Sequence, residues 1–93
     1  METHELLRVY ESVASLTAQM AKAAFENNWT DFEELETQCA RHVNYAKTLP
    51  PTPLQGASLT YKIRLVKEIM ANDRSIREIT EPWQHQLPSA MRH

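Results

Sequence analysis

Residues 59–87 read LTYKIRLVKEIMANDRSIREITEPWQHQL, and this stretch decides the fold because its apolar residues recur at the spacing of an α-helix. One line of apolar residues consists of Leu59, Ile63, Val66 and Met70. A second line beside it consists of Leu65, Ile69, Ile76, Ile79, Trp83 and Leu87. A single line is enough to bury a helix in its own domain. Two lines indicate a helix that packs inward on one side and offers its other side to a partner.

Length and composition limit the class of protein. The chain has 93 residues and a formal net charge of −2, which predicts a single helical domain over residues 1–93 with one modest hydrophobic core. The near balance of charges favours neither a nucleic-acid-binding surface nor a basic membrane-binding patch. Cys39 is the only cysteine, so no internal disulfide can form. Because there is no long apolar run and no signal-peptide pattern, we expect a cytoplasmic protein without membrane insertion.

A first helix is predicted over about residues 3–26. Apolar and small residues recur there at a heptad-like spacing, and neither Gly nor Pro interrupts them. Thr3 is the expected N-cap of this helix. Met20 and Phe25 are expected in the core.

A second helix is predicted over about residues 31–48. The preceding Asn27 and Asn28 favour a turn. Thr30 and Glu33 have the spacing of a capping box, in which each side chain bonds the backbone amide of the other residue. Trp29 is expected to seal the end of the core beside this turn.

The third helix is predicted to be the longest. Pro50, Pro51 and Pro53, followed by Gly56, form a connection between helices. Ser58 is the expected N-cap, and the third helix extends over about residues 59–90. Pro82 predicts either a kink in this helix or a break followed by a short fourth helix. The predicted fold is therefore an all-α, antiparallel, up-down-up bundle of three helices.

The third helix is also longer than the second helix beside it. Everything after Thr80 is therefore expected to extend past the hairpin. Trp83 and Leu87 would then be apolar and poorly covered. We expect both to take part in binding.

No motif in the sequence predicts catalysis, a cofactor or a metal site. Cys39 and His42 have the spacing of two metal ligands, but two ligands cannot close a zinc site, so Cys39 is expected in the core with His42 at its edge. The enzyme class that merits comparison is a small all-helical chorismate mutase, which needs several cationic side chains around a dicarboxylate. The first helix offers only Arg8 and Lys22, far apart along the helix. We therefore expect a protein that is not an enzyme.

Asp73 and Arg77 continue the line of Val66 and Met70 along the third helix. A lone carboxylate in a dry core would be costly. This line is therefore expected to face solvent or a partner, with Asp73 and Arg77 as an exposed ion pair. The line through Leu65 then faces the bundle.

Three sequence segments resemble the FliT family, the type III export chaperones of the flagellar filament cap protein. The segments are NNWTDF at residues 27–32, IMAND at 69–73 and IREIT at 76–80. The similarity extends over nearly the whole chain, from about residue 10 to residue 87. Longer members of the family carry a C-terminal segment that folds over the binding surface, whereas this sequence stops at His93.

The resemblance implies a chaperone that binds the C-terminal amphipathic region of the cap protein FliD, prevents its premature assembly and delivers it to the export ATPase machinery. It also implies FlhC, a subunit of the flagellar master regulator, as a further partner. The family places much of its partner surface on the third helix. The expected partner-binding residues are Val66, Lys67, Met70, Asp73, Arg77, Trp83 and Leu87.

Two other functions stay open at this point. One is the enzyme of chorismate mutase type. The other is a structural homodimer in which the exposed line of the third helix pairs with a second copy. A weak homodimer that a client displaces is compatible with the chaperone prediction.

Overall fold

Three α-helices make up the fold. The computed structural model describes residues 2–51 and 53–85, with the side chains of residues 5–51 and 53–81. Helix α1 is Glu2–Phe25, α2 is Trp29–Ala46 and α3 is Ala57–His85. No strand occurs in these residues, and the predicted all-α three-helix bundle is confirmed. Helix α1 begins before Thr3, so Thr3 is not its N-cap.

The turn between α1 and α2 is closed by two asparagines. Asn27 has a φ of 60°, the left-handed conformation that ends many helices. The amide of Asn28 donates to the carbonyl of Ala23 at 2.8 Å, and that of Asn27 donates to Ala24 at 3.1 Å. These two bonds form a Schellman motif, with Asn in the position that Gly most often occupies.

Asn28 then caps α2, so the predicted capping box of Thr30 and Glu33 is wrong. The Asn28 side-chain oxygen accepts from the amide of Asp31 at 3.3 Å. Its side-chain nitrogen donates to the Asp31 carboxylate at 2.7 Å. Helix α2 starts at Trp29 because its N-cap is Asn28 and not Thr30.

The exposure of the aromatic residues at this end differs from the prediction. Phe25 is 80% exposed and Trp29 is 42% exposed, so Phe25 is not in the core and Trp29 does not seal it. Phe25 is the last residue of α1, and its position on the helix turns it away from the buried line. The Trp29 ring lies edge-on against Phe32, with 5.3 Å between the ring centres. Met20, by contrast, is buried as predicted.

Helix α3 begins at Ala57, one residue before the expected cap, so Ser58 lies inside the helix. Gly56 precedes the helix with a φ of 61°, and its carbonyl accepts from the amide of Thr60 at 3.1 Å. The helix then passes through Pro82 and extends to His85 without a break. Of the two predicted outcomes at Pro82, the break is therefore wrong. Residues 86–90 of the predicted helix lie outside the described residues.

Helix α1 is the centre of the bundle. It packs against α2 and against α3, whereas no Cα atom of α2 comes within 8 Å of one in α3 over the described residues. Most of the buried apolar residues belong to α1: Val9, Val13, Ala14, Leu16, Met20, Ala23 and Ala24. Helix α2 has no buried residue in the described chain. On α3 the buried apolar residue is Leu65.

A polar contact fixes α3 against α1. The Asn72 side-chain amide donates to the Thr17 hydroxyl at 3.0 Å and to the carbonyl of Ala14 at 3.2 Å. Thr17 is buried, and its hydroxyl donates to the carbonyl of Val13 at 2.8 Å. Since buried polar groups need partners, this contact favours one register of α3 along α1.

Candidate partner-binding face

The contact with α1 divides α3 into two flanks. Leu65 is buried, and Ile69, Ile76 and Ile79 are half-buried. The residues that face the bundle are therefore those of the line predicted to face inward. The two flanks on either side of this line differ in polarity.

One flank of α3 is polar and lies beside α1. Tyr61, Glu68 and Asn72 line a groove there with Glu11 and Ser15 of α1. The Tyr61 hydroxyl donates to the Glu11 carboxylate. This bond raises the pKa of Tyr61, because the protonated hydroxyl is the form that donates.

The polar flank of α2 borders the same side of α1. Gln38 and His42 line a groove with Glu11 and Ser15, the residues that also line the groove beside α3. Both polar flanks therefore lie on one side of the molecule, which we call the back. The opposite side, where both remaining flanks lie, is the front.

The front flank of α3 carries the exposed apolar residues. At 3.6 residues per turn, Val66, Met70 and Ile63 are turned about 100° to 160° from Leu65, away from the back. Met70 is 64% exposed, Ile63 is 47% exposed and Leu59 is 39% exposed. Val66 is half-buried. The apolar line that was predicted to face outward is therefore the exposed one.

Helix α2 adds apolar residues to the same side. Around the axis of α2, Val43 lies about 60° from half-buried Ala46, on the side opposite to Tyr45, which lies on the back. Val43 therefore lies toward the front, where it is 41% exposed. Phe32 and Cys39 lie beside it and are half-buried. We define the front face as these residues of both helices: Phe32, Cys39, Val43, Leu59, Ile63, Val66 and Met70.

The other predicted binding residues lie at or beyond the edge of this face. Lys67 and Asp73 are exposed. Arg77 donates to the Asp73 carboxylate, with 3.0 Å between Nε and Oδ2, which confirms the predicted ion pair. The side chain of Trp83 and the whole of Leu87 lie outside the described residues.

Of the front-face residues, only Val66 and Met70 belong to the predicted partner-binding set. Leu59 and Ile63 are absent from it, although they lie on the same predicted outward line of the third helix. Helical spacing places Phe32, Cys39 and Val43 on the predicted buried side of the second helix. The sequence pattern predicts Lys62, together with Lys67 and Glu68, on a solvated side of the third helix. In the structure the Lys62 Nζ atom lies 5.6 Å from the centre of the Tyr10 ring on α1, a cation–π contact at the front edge.

Cys39 is the titratable group on the front face with a shifted pKa. Burial raises the pKa of its thiol above the ordinary value, and the nearby Glu36 carboxylate adds to the shift. The thiol form is therefore favoured at neutral pH, which lowers the reactivity of Cys39 as a nucleophile. Over the described chain, no three His, Cys, Asp or Glu side chains come together as a metal site would require.

The two cationic residues of α1 that were considered for catalysis, Arg8 and Lys22, lie far apart. Arg8 lines a groove on the back with Arg41 and Tyr45, and the carboxylate of Glu5 lies in the same groove. An acidic side chain there opposes the binding of a dicarboxylate substrate. Lys22 lies in the last turn of α1, about 20 Å along the helix from Arg8.

Comparison with known proteins identifies the family. No curated protein and no solved structure matches the chain. None of the described helices has both the length and the apolar character of a membrane span. The family model described as "Flagellar protein FliT" matches residues 7–93, which covers most of α1 and the whole of α2 and α3. The chain therefore belongs to the FliT family of flagellar export chaperones.

Proposed function

We propose that this protein binds the C-terminal amphipathic region of the filament cap protein, FliD, on the front face. The bound segment is an α-helix that lays its apolar side between α2 and α3. In this position it would prevent premature assembly of the cap protein in the cytoplasm. Because the resemblance to the FliT family implies them, the proposal includes delivery of FliD to the export ATPase machinery and binding of FlhC.

The observation that carries the proposal is the exposed apolar row of α3. Met70, Ile63 and Leu59 are each more than a third exposed, and they lie on one flank of one helix. Exposed apolar residues at helical spacing are what an amphipathic helix needs as a docking surface. A fully covered bundle would leave few such residues in one row.

The separation of α2 from α3 supports the same conclusion. Both helices pack on α1, and no Cα atom of α2 lies within 8 Å of one in α3 over the described residues. Apolar side chains of both helices therefore border one surface above α1. A helix from a partner can contact Val43 on one side and Met70 on the other.

The test is a titration with a synthetic peptide of the C-terminal amphipathic region of the cap protein from the same organism. The double variant Ile63→Asp, Met70→Asp is expected to bind roughly a hundredfold more weakly, because it places two charges in an apolar contact. Both residues are exposed, so the fold should survive. The variant Val66→Asp, Met70→Asp tests the half-buried position in the same row.

The matched control is Ala71→Asp, Ser75→Asp. It adds the same two charges to exposed positions of the same helix, on the back instead of the front. This control is expected to bind like the parent chain, as judged by calorimetry, with helicity checked by circular dichroism. Equal binding by the parent and the front-face variants would overturn the proposal.

A structural homodimer predicts a different result. Light scattering across a range of concentrations would then show a stable dimer that the peptide does not dissociate. An enzyme of chorismate mutase type predicts turnover of chorismate that Arg8→Ala abolishes. Either result would replace the chaperone proposal.

A further inference from the structure

Charged residues are segregated along the sequence. Residues 23–40 contain five acidic residues and no Lys or Arg: Glu26, Asp31, Glu33, Glu34 and Glu36. Residues 41–67 contain five basic residues and no Asp or Glu: Arg41, Lys47, Lys62, Arg64 and Lys67. The fold converts this segregation into two ends of opposite charge.

The contacts with α1 show which residues share an end. The Tyr45 hydroxyl donates to Glu5 at 3.2 Å, and the Tyr61 hydroxyl donates to Glu11. The C-terminal part of α2 and the N-terminal part of α3 therefore both lie beside the first half of α1. This is the basic end of the molecule. The turn between α1 and α2 lies at the acidic end.

Charges of both signs border the front face. Lys47 follows Val43 by one turn of α2, and Lys62 lies over the Tyr10 ring; these are at the basic end. Glu36 precedes Val43 by two turns, so it lies toward the acidic end on the same flank. On α3 both Glu81 and Arg74 are exposed, and they follow Met70 by three turns and by one turn on nearly the same line of the helix. Asp73 and Arg77 between them neutralise each other.

Stabilisation of each helix by its own dipole explains only half of this pattern. Acidic residues near the N-terminus of α2 and basic residues near its C-terminus complement the α2 dipole. On α3 the order is the reverse, with Lys62 near the N-terminus and Glu81 near the C-terminus, which opposes the α3 dipole. At the basic end Lys62 of α3 thus has the same sign as Lys47 next to α2, which does not serve the α3 dipole.

Like charges therefore border both sides of the front face at the basic end. At the other end Glu36 borders the α2 side, while Arg74 offsets Glu81 on the α3 side. Glu5, Arg8 and Glu11 of α1 line the grooves on the back, so they do not neutralise the front. A helix placed between α2 and α3 would meet cations from both sides at the basic end and the Glu36 carboxylate toward the other end. Its own dipole is stabilised when its C-terminus lies by the cations.

We propose that the front face selects the direction of the helix it binds: the bound helix runs antiparallel to α3, with its C-terminus and acidic residues at the basic end. This inference rests on the proposed function, because it assigns the orientation of that same client. Lys47 and Lys62 contact the C-terminal part of the client. Glu36 faces its N-terminal part.

Paramagnetic labelling tests the orientation. Cys39→Ser removes the native thiol, and a nitroxide is then attached at Gln55→Cys near the basic end or at Thr30→Cys near the acidic end. Both positions are exposed and outside the front face. The probe is the isotope-labelled peptide of the cap protein. The label at residue 55 is expected to broaden signals from the C-terminal third of the peptide, and the label at residue 30 those from its N-terminal third.

The opposite pattern, or equal broadening of both ends by each label, would overturn the orientation while leaving the proposed function intact. A peptide that does not bind would overturn the proposed function and this inference with it. The two failures are therefore distinguishable in one set of spectra.

Charge removal gives an independent measurement. Lys47→Gln with Lys62→Gln is expected to weaken peptide binding about three- to tenfold at low ionic strength, with the difference shrinking as salt is added. The matched control is Arg41→Gln with Arg64→Gln, which removes the same charge from the same end of the same helices. Arg41 lies on the back and Arg64 pairs with Glu68. Equal loss in both variants would contradict the inference.

Discussion

The side-chain amide of Asn72 on α3 donates to the buried hydroxyl of Thr17 on α1 at 3.0 Å. The same amide donates to the carbonyl of Ala14. The contact spans 55 residues of sequence, and it sets the height at which α3 crosses α1. Every residue of the front face that belongs to α3 takes its position from this register.

Asn72→Ala is expected to lower the free energy of unfolding by about 1 to 3 kcal/mol, because it leaves two acceptors of α1 without their donor. Thr17→Val should cost less, since Asn72 keeps its bond to Ala14. Urea unfolding of both single variants and of the double variant gives the coupling energy. A double variant whose cost equals the sum of the two single costs would show that the pair does not act together.

The left-handed turn at Asn27 leads to a stability prediction. Asn27→Gly is expected to raise the melting temperature slightly, because Gly adopts a φ of 60° without strain. Asn27→Ala is expected to destabilise by about 1 kcal/mol. Asn28→Ala provides the comparison, since it removes the cap of α2 at a cost of about 1 kcal/mol. Calorimetric melting of the three variants would refute the prediction if Ala proved better than Gly at residue 27.

Alkaline pH is expected to weaken the packing of α2 and α3 on α1. The pKa values of Tyr45 and Tyr61 are raised because each hydroxyl donates to a carboxylate, Glu5 or Glu11. A raised pKa in the folded state stabilises the fold at pH values below the ordinary tyrosine pKa of about 10. That contribution is lost as the pH rises through the raised values.

Urea unfolding between pH 8 and about pH 11 measures this loss. The control is Tyr45→Phe with Tyr61→Phe, which keeps the rings and removes the hydroxyls. The stability advantage of the parent over this variant should shrink across the range. An advantage that is constant with pH would show that the two hydroxyls do not contribute through their protonated form.

Cys39 offers a direct reporter of the front face. Because burial and Glu36 raise its pKa, iodoacetamide should alkylate the folded chain roughly tenfold more slowly than the urea-unfolded chain at neutral pH. Glu36→Gln is expected to speed alkylation modestly by lowering that pKa. Peptide bound on the front face should slow the reaction further. No protection by bound peptide would place the client elsewhere.

Much of the fold follows from local patterns. The prolines near residue 50, the asparagines at 27 and 28, and the helical spacing between them predict three helices at nearly the observed positions. The caps were less predictable, because Asn28 and Thr30 are both good cap residues and neighbouring geometry selects between them. The outward and inward lines of α3 could be separated because Asp73 and Arg77 mark the solvated one.

Some residues of the front face could be predicted from the sequence, and others could not. Val66 and Met70 could be placed on the front face from spacing alone. Val43 could not, because its exposure depends on the distance between α2 and α3, which no local pattern encodes. Asn72 could have been noticed as a polar residue on the inward side of α3, but its partners on α1 are set by the packing.

The sequence by itself determined the number of helices, the position of the breaks and the two sides of α3, because periodicity and backbone preferences act over a few residues. Only the tertiary structure decided that α1 is central, that the Cα atoms of α2 and α3 lie more than 8 Å apart over the described residues, and that Phe25 is exposed while Thr17 is buried. The exposure of a side chain, and the charges that lie near it, depend on which distant segment of the chain packs against that part of the helix. That is why the segregated charges of one linear sequence become a basic end and an acidic end only after folding.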